Sequence, residues 1–168
     1  MNCHQELLNR IKHINFVCQK LCKITLGRYL KVSGNIGVFS QSVEEYKIFT
    51  KVRDEITEPS TNPNQKYYHL YNPIIIPAEI DIPETTYTHL YIRKLDSTPY
   101  GRYLGDVDFV LDSGEYIELK NKVLSGTVKG AEIYDRPGWD TIQLTTPNFD
   151  CVAYVSTKEF AEKVRVKF

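Results

Sequence analysis

Apolar residues recur every three or four positions in three stretches of the chain, the spacing that places them on one side of an α-helix. The first stretch covers residues 5–24, the second follows Ser42, and the third begins at Asp112 or Ser113. Because Ser and Asp side chains cap helix N-termini, these positions also mark helix starts. A further capping pattern at Ser156 predicts a short final helix.

Between the helical stretches lie short segments rich in Ile, Val, Tyr and Thr, the composition of β-strands. Loops rich in Pro, Gly, Asn and Ser separate them, the longest over residues 57–66 and 94–105. Apolar and charged residues also alternate over 164–168, which predicts a strand at the end of the chain. The other predicted strands cover 36–39, 67–71, 74–76, 87–92, 107–111, 131–134, 141–144 and 151–155.

The order strand, helix, three strands occurs twice. Residues 34–52 align with 105–123 at an offset of 71, with five identical positions. Farther along, an offset of 63 matches two pairs of tyrosines, and a gap of eight residues in the loop 57–66 reconciles the two offsets. The pattern therefore predicts an internal duplication. The matched tyrosines are Tyr71 with Tyr134 and Tyr91 with Tyr154.

These elements predict an α+β fold of two β-α-β-β-β modules that form curled mixed sheets, with an N-terminal helical extension. A chain of 168 residues is long enough to form one domain with its own hydrophobic core. Within this single domain, 1–168, we expect an N-terminal helix over 1–28, a first module over 34–93, a second over 105–155, and a short C-terminal helix and strand over 156–168.

A duplicated β-α-β-β-β unit resembles the glyoxalase, or vicinal oxygen chelate, superfamily over about residues 34–155. The segment from Thr146 to Asp150, before the last predicted strand, resembles the Asp-Pro-Asp-Gly-Asn-like turn of such modules. The resemblance implies paired modules that enclose a cleft, often with a divalent metal ion. It implies a protein that binds or transforms a small molecule, and leaves open whether it is an enzyme.

In that superfamily the metal ligands come from the first and last strands of each module. At the matching positions the resemblance implies His89, Asp106 and Asp108 as metal ligands, while the opening strand of the first module offers Asn35 and Gly37. Of these, His89 and Asp108 are the candidate catalytic residues. The candidate cleft-lining residues are Tyr91, Tyr154 and Trp139.

An alternative interpretation concerns the centre of the chain. Asp108 followed by Glu118-x-Lys120 resembles the site of restriction-endonuclease-like nucleases, in which two carboxylates hold Mg²⁺ and a lysine activates water. That site needs a β-hairpin, because alternation along a strand would then point Glu118 and Lys120 to one face. Only this interpretation calls for a nucleic acid partner.

Composition narrows the remaining possibilities. The chain has 21 Lys and Arg residues and 21 Asp and Glu residues, so no excess of positive charge favours binding to nucleic acid or to a membrane surface. No apolar run is long enough to span a bilayer, and the N-terminus lacks the pattern of a signal peptide. Four cysteines without metal-site spacing predict reduced thiols in a cytoplasmic protein. A non-enzymatic interaction domain that forms homodimers through strand edges or exposed aromatic residues is a third possibility.

Overall fold

The computed structural model describes residues 2–167, and it contains the three predicted amphipathic helices. Their N-termini are capped as the sequence predicts: the side chain of Ser42 accepts a hydrogen bond from Glu45 N at 3.0 Å, and Asp112 accepts one from Glu115 N at 2.8 Å. A fourth helix closes the chain. The helices are α1 (Cys3–Leu26), α2 (Val43–Ile56), α3 (Ser113–Leu124) and α4 (Lys158–Lys167).

Seven strands form one open, mixed sheet in the order β2-β3-β1-β4-β7-β6-β5. The central pair, β1 and β4, is antiparallel, whereas β1 runs parallel to β3 and β4 runs parallel to β7. The fold is therefore α+β with an N-terminal helix, as predicted. The strands are β1 (Lys31–Phe39), β2 (Tyr68–Ile76), β3 (Thr85–Arg93), β4 (Gly105–Leu111), β5 (Ala131–Arg136), β6 (Trp139–Leu144) and β7 (Val152–Thr157).

The two modules lie side by side in this sheet, but they differ by one strand. In the second module a helix is followed by three strands, as predicted. In the first module, the predicted strands over 67–71 and 74–76 are one strand, β2, with a bulge between His69 and Ile74. Pro73 lies inside that bulge and cannot donate to the ladder, so it interrupts the pairing without ending the strand. Two strands therefore follow α2 instead of three.

The register of the sheet reproduces the alignment of the two halves. Gly37 on β1 lies opposite Tyr91 on β3, and Asp108 on β4 lies opposite Tyr154 on β7. Gly37 and Asp108 are 71 residues apart, and Tyr91 and Tyr154 are 63 apart, which are the two offsets of the sequence repeat. These two pairs therefore occupy equivalent places on the two sides of the β1–β4 pair. The other matched tyrosines do not, because Tyr71 lies on β2, next to β3, whereas Tyr134 lies on β5, two strands from β7.

The predicted C-terminal strand is wrong. Helix α4 continues to Lys167, and Phe168 lies outside the described residues. Its cap is Thr157, whose Oγ1 accepts a hydrogen bond from Phe160 N at 3.2 Å, one residue after the predicted Ser156. The helix packs against β1, β4 and β7 through residues such as the buried Ala161. This packing favours a helix despite the short alternating pattern of apolar and charged residues.

The sheet has two different faces. Helices α1, α2 and α3 cover one face and share the main hydrophobic core with Val107 and Phe109 of β4. Because side chains alternate along a strand, Asp106 and Asp108 of β4 point to the other face. That face carries only α4 among the helices, and it is where the cleft described below lies. None of the helices in residues 2–167 combines the length and apolar character needed to cross a membrane.

Candidate functional site: a cleft on the open face of the sheet

A cleft of about 560 Å³ opens on this second face, a volume typical of small-molecule sites. The strands β1, β3, β4 and β7 form its floor, the β5–β6 hairpin forms one wall, and α4 contributes Val164. The end of the loop 57–67 and a short 3-10 turn, Pro99–Arg102, close the remaining sides. The chain therefore brings both modules and two loops to one concave surface.

Aromatic side chains make up most of the cleft lining. The hydroxyl of Tyr154 donates to the hydroxyl of Tyr100 at 2.6 Å, and the ring of Tyr134 meets the ring of Tyr154 edge-on with centroids 6.1 Å apart. Phe39 packs against Tyr100 with centroids 5.1 Å apart. Such rings present large apolar surfaces with polar tips, which suits the binding of flat organic molecules. The remaining aromatic residues of the lining are Tyr67, Tyr91 and Trp139.

Arg136 occupies the wall formed by the β5–β6 hairpin. A two-residue turn, Pro137-Gly138, joins the strands, and Gly138 takes a left-handed conformation with φ of 84°. This turn pairs Arg136 with Trp139, and the guanidinium carbon lies 4.0 Å from the ring centroids of both Trp139 and Tyr134. The guanidinium has no carboxylate within ion-pair distance in the part of the chain that is described. It therefore brings a positive charge to the cleft without a direct ion pair, although it acts on the carboxyl groups of Asp106 and Asp108 from a longer distance.

Arg93, across the cleft, is held differently. Its Nη2 atom pairs with Asp96 at 2.7 Å, so this guanidinium, unlike that of Arg136, has a carboxylate partner. Its guanidinium carbon also lies 5.2 Å from the centroid of Phe39 and 5.1 Å from that of Tyr100. Its Nη1 atom is buried and lacks a hydrogen-bond partner among the described residues.

Asp106 lies at the floor of the cleft and is only 8% exposed. Its Oδ1 atom occupies the space that a Cβ atom would take at Gly37 on the neighbouring strand. Burial and the nearby Asp108 carboxylate raise the pKa of Asp106 well above its usual range, although Arg93 and Arg136 act in the opposite direction. The carboxyl group can therefore remain protonated at a pH where an exposed aspartate is ionised.

Asp108 lies deeper, in an extension of about 120 Å³ beneath α4. Burial raises the pKa of Asp108 to about 6, while the adjacent Asn35 side chain and the positive charges of Arg136 and Arg165 limit the increase. Arg165, on α4, donates from Nε to Asn35 Oδ1 at 2.8 Å and from Nη2 to the carbonyl oxygen of Ser33. Helix α4 is thus bound to the floor of the site through polar contacts as well as packing.

His89 does not line the cleft, although it shares a strand with Tyr91. Its ring packs against His69 at a centroid distance of 5.0 Å, and its Nδ1 atom lies 2.9 Å from Thr88 Oγ1. Burial, with a smaller effect of Arg165, lowers the pKa of His89 to about 4, so the ring is neutral near pH 7.

The expected metal ligands do not converge. Within residues 2–167, no donor atoms of His89, Asp106 and Asp108 form a group that lies within 4.8 Å. The first module contributes only an amide and a glycine at its matched positions, Asn35 and Gly37. These residues therefore do not fit a divalent metal ion in the cleft.

The strand geometry required by the nuclease alternative is absent. Glu118 and Lys120 lie on helix α3, where residues two apart point in directions roughly 200° apart. Lys120 Nζ pairs with Asp140 Oδ2 at 2.6 Å, and Glu118 is exposed. The helix also packs on the face of the sheet opposite to Asp108, so these residues do not form the predicted site.

The structure places Tyr91, Tyr154, Trp139 and Asp106 in the cleft, and Asp108 in its deeper extension. Sequence reasoning missed Arg136, although Tyr134-x-Arg136 alternates along β5 and so shares a face with its tyrosine. Other lining residues that it missed are Phe39, Tyr67, Arg93, Tyr100 and Tyr134. Tyr100 lies in a short 3-10 turn, where periodicity gives no signal.

Fold and site together define an α+β protein with a ligand-sized aromatic cleft on the open face of a mixed sheet. Comparisons with known proteins add only the fold. No family model and no curated protein matches the sequence. A solved structure named "Structural Genomics, Protein EC4020" superposes with a TM-score of 0.58 and 13% sequence identity, covering 98% of this chain and 92% of that chain. This similarity shows the same overall architecture in that protein.

Proposed function

We propose that the protein binds a small organic anion with an aromatic or other flat apolar body. The observation that carries this proposal is Arg136, a guanidinium placed between two aromatic rings at the wall of the cleft without a carboxylate partner. The planar fork of an arginine matches a carboxylate or phosphate group in two parallel hydrogen bonds. The stacked rings hold that fork in place, so little conformational entropy is lost on binding.

The aromatic lining supports a flat apolar body for the ligand. Tyr91 and Tyr154 extend from equivalent positions of the two modules, with Trp139 at the wall. Rings that face one cavity stack on planar ligands and exclude water from them. The charges favour an anion over a cation, because the pKa of Asp106 is raised, whereas the guanidinium group of an arginine is always charged in proteins.

A titration with benzoate tests this proposal, because Trp139 is the single tryptophan and reports on the cleft through its fluorescence. We expect benzoate to change the emission of Trp139 saturably and to show one site by calorimetry. Benzamide has the same shape without the charge, and we expect it to bind at least about tenfold more weakly, since a hydrogen bond to a charged group contributes roughly 1.5–3 kcal/mol. Equal affinity for both would exclude the role assigned to the charge.

A matched pair of variants locates the charge. Arg136→Gln is expected to weaken benzoate binding about tenfold or more and to leave benzamide binding nearly unchanged. Arg102→Gln is the control, because Arg102 also stacks on a tyrosine, Tyr103, at 5.2 Å, yet does not line the cleft. If Arg102→Gln weakened binding as much as Arg136→Gln, the anion site would not be the one proposed.

A second candidate function is proton transfer on the bound molecule. It rests on the Asp106 and Asp108 pair, since a carboxyl group with a pKa of about 6 beneath a cleft can exchange a proton near neutral pH. The test follows the exchange of the benzylic protons of phenylpyruvate into deuterated water by NMR. Exchange faster than without protein, lost in Asp108→Asn, is the expected result, and no acceleration by the wild type would remove this candidate.

The duplicated topology supports a further proposal, a distant relationship to the glyoxalase superfamily without its metal site in the cleft. The second module has the helix and three strands of such a unit, with its first and last strands parallel. Localisation in the cytoplasm also stays a proposal, supported by the free thiols of Cys3, Cys18, Cys22 and Cys151.

A further inference from the structure

Away from the cleft, three side chains with metal-binding donors converge where the chain enters β7. They are His13 on α1 and the adjacent residues Asp150 and Cys151. One donor atom of each lies within 4.8 Å of the other two, and no other group of three His, Cys, Asp or Glu residues in 2–167 meets that condition. The sequence gives no sign of this group, because His13 and Asp150 are 137 positions apart.

The distances are close to those of a zinc site. His13 Nε2 lies 3.0 Å from each carboxylate oxygen of Asp150, and Cys151 Sγ lies 3.4 Å from Asp150 Oδ1. In a tetrahedral zinc site, bonds of about 2.0–2.3 Å place ligand atoms roughly 3.3–3.7 Å apart. His13 Nε2 and the carboxylate of Asp150 would need to separate by only about half an ångström to admit the ion.

The exposure of the three side chains indicates that such an ion would lie near the protein surface, with one side open to solvent. Cys151 is fully buried, whereas the side chains of His13 and Asp150 are 44% and 48% exposed. The backbone of Asp150 is fixed, because its carbonyl oxygen accepts a hydrogen bond from Leu104 N at 2.7 Å. A shallow depression bordered by Glu6 adjoins His13 and Asp150, so a fourth coordination position would face solvent.

The thiol distinguishes this group from ordinary surface ion pairs. Two other exposed histidine–carboxylate pairs are described, His4 with Glu55 at 2.6 Å and His69 with Glu58 at 3.1 Å, and neither belongs to a group of three donors. We propose that His13, Asp150 and the thiolate of Cys151 bind one Zn²⁺ ion, with water as the fourth ligand. Zinc accepts nitrogen, oxygen and sulfur ligands together, and on binding the Cys151 thiol loses its proton to solvent.

The test starts from the full chain treated with EDTA and then freed of the chelator. Calorimetry with Zn²⁺ is expected to give one site per chain, with a heat that depends on the buffer because protons are released. Co²⁺ in place of Zn²⁺ is expected to give the near-ultraviolet charge-transfer band of a cobalt–thiolate bond. Absence of Zn²⁺ binding, or binding without that band in the Co²⁺ protein, would overturn the proposal.

Variants then assign the ligands. Cys151→Ser is expected to remove the charge-transfer band, and His13→Ala, at an exposed position that keeps the fold, is expected to weaken Zn²⁺ binding beyond the roughly 10–100-fold loss typical of an outer-shell partner. His4→Ala and Cys3→Ser are the controls, since these residues are an exposed histidine paired with a carboxylate and an exposed thiol outside the group. If Cys151→Ser does not fold, His13→Ala decides the question. Unchanged affinity in His13→Ala, or loss of the band in Cys3→Ser, would contradict the assignment.

Discussion

The two modules match in their first and last strands, β1 with β3 and β4 with β7, but carry different polar side chains there. Gly37 and Asp108 occupy matched positions, as do Tyr91 and Tyr154, on either side of the β1–β4 pair. The tyrosine is kept in both modules, whereas the carboxylate is present only in the second. The sheet therefore has a symmetric aromatic lining around an asymmetric set of charges.

The difference has a steric reason. The carboxylate of Asp106 occupies the space above Gly37, so a side chain at position 37 would overlap it. Because Gly37 has no side chain, the carboxyl group of Asp106 can be buried next to it at the floor of the cleft. The second module also has the β5–β6 hairpin that carries Arg136, while the first contributes Lys66 and Tyr67 from the end of the loop before β2. The two sides of the sheet thus share strand positions, while the side formed by β4 to β7 carries most of the polar site.

The largest effect on the free energy of unfolding is expected from substitutions at the matched glycines, Gly105 above all and Gly34 after it. A Cβ atom at Gly105 would overlap the carbonyl oxygen of Gly37 and the side chain of Ile14, and neither can move easily. We expect Gly105→Ala to lower the free energy of unfolding by about 3 kcal/mol. Gly34 is required instead for its backbone, with φ of 103°, so Gly34→Ala should cost about 1–2 kcal/mol.

Urea denaturation of both variants checks this order. Gly114→Ala is the control, since its Cβ would make only an ordinary contact at 3.5 Å near the start of α3, and its effect should stay within about 1 kcal/mol. A Gly105→Ala protein as stable as the Gly114→Ala protein would show that β1 and β4 do not pack as closely as described.

The next largest effect on stability is expected from the carboxylate of Asp108, the residue matched to Gly37. The pKa of Asp108 is about 6 in the folded protein and near its ordinary value of about 3.9 in the unfolded chain, so its contribution to stability is present below about pH 4 and lost as pH rises to about 6. Asp108→Asn is therefore expected to stabilise the protein above pH 6, by up to about 3 kcal/mol, and much less at pH 4.

Denaturation curves at pH 4 and pH 7.5 measure that difference. The exposed Asp54, changed to Asn, is the control, and we expect it to alter stability by less than about 0.5 kcal/mol at either pH. If Asp108→Asn destabilised the protein at pH 7.5, the ionised carboxylate would be favourably paired and the raised pKa would be wrong.

The smallest effect on the free energy of unfolding is expected at the matched tyrosines, Tyr91 and Tyr154. The hydroxyl of Tyr154 lies 2.6 Å from Tyr100 Oη and 3.3 Å from Gln143 Oε1. Tyr154→Phe should therefore cost about 1 kcal/mol in thermal or chemical denaturation. Tyr91→Phe is the matched change in the first module, where no such bond is described, and should cost less than about 0.5 kcal/mol. Equal costs would mean that the hydrogen bonds of Tyr154 add nothing to stability.

The sequence predicts the framework well because its signals are local. Helix periodicity and the caps at Ser42 and Asp112 identify α2 and α3, and the repeat predicts the equivalence of Tyr91 and Tyr154. Two predictions were wrong where local pattern and tertiary packing disagree. Pro73 was interpreted as a break between strands but lies in a bulge, and the alternation around Val164 lies on a helix that packs against the sheet.

The site was less predictable, since its geometry depends on which strands become neighbours. Arg136 and Asp106 are 30 positions apart and meet only because β5, β6, β7 and β4 follow one another across the sheet. Tyr100 reaches the cleft from a short 3-10 turn that has no periodic pattern. His89 looks like a ligand in the sequence, yet it packs against His69 away from the lining.

The most direct test of the central claim is the position of a bound aromatic anion. Isotope-filtered NMR on labelled protein with unlabelled benzoate would measure nuclear Overhauser contacts from the benzoate ring. We predict contacts to the indole of Trp139 and to the rings of both Tyr91 and Tyr154, which come from the two modules and line one cleft. Bound benzoate that contacts none of these rings would contradict the claim that the paired modules form a single binding site.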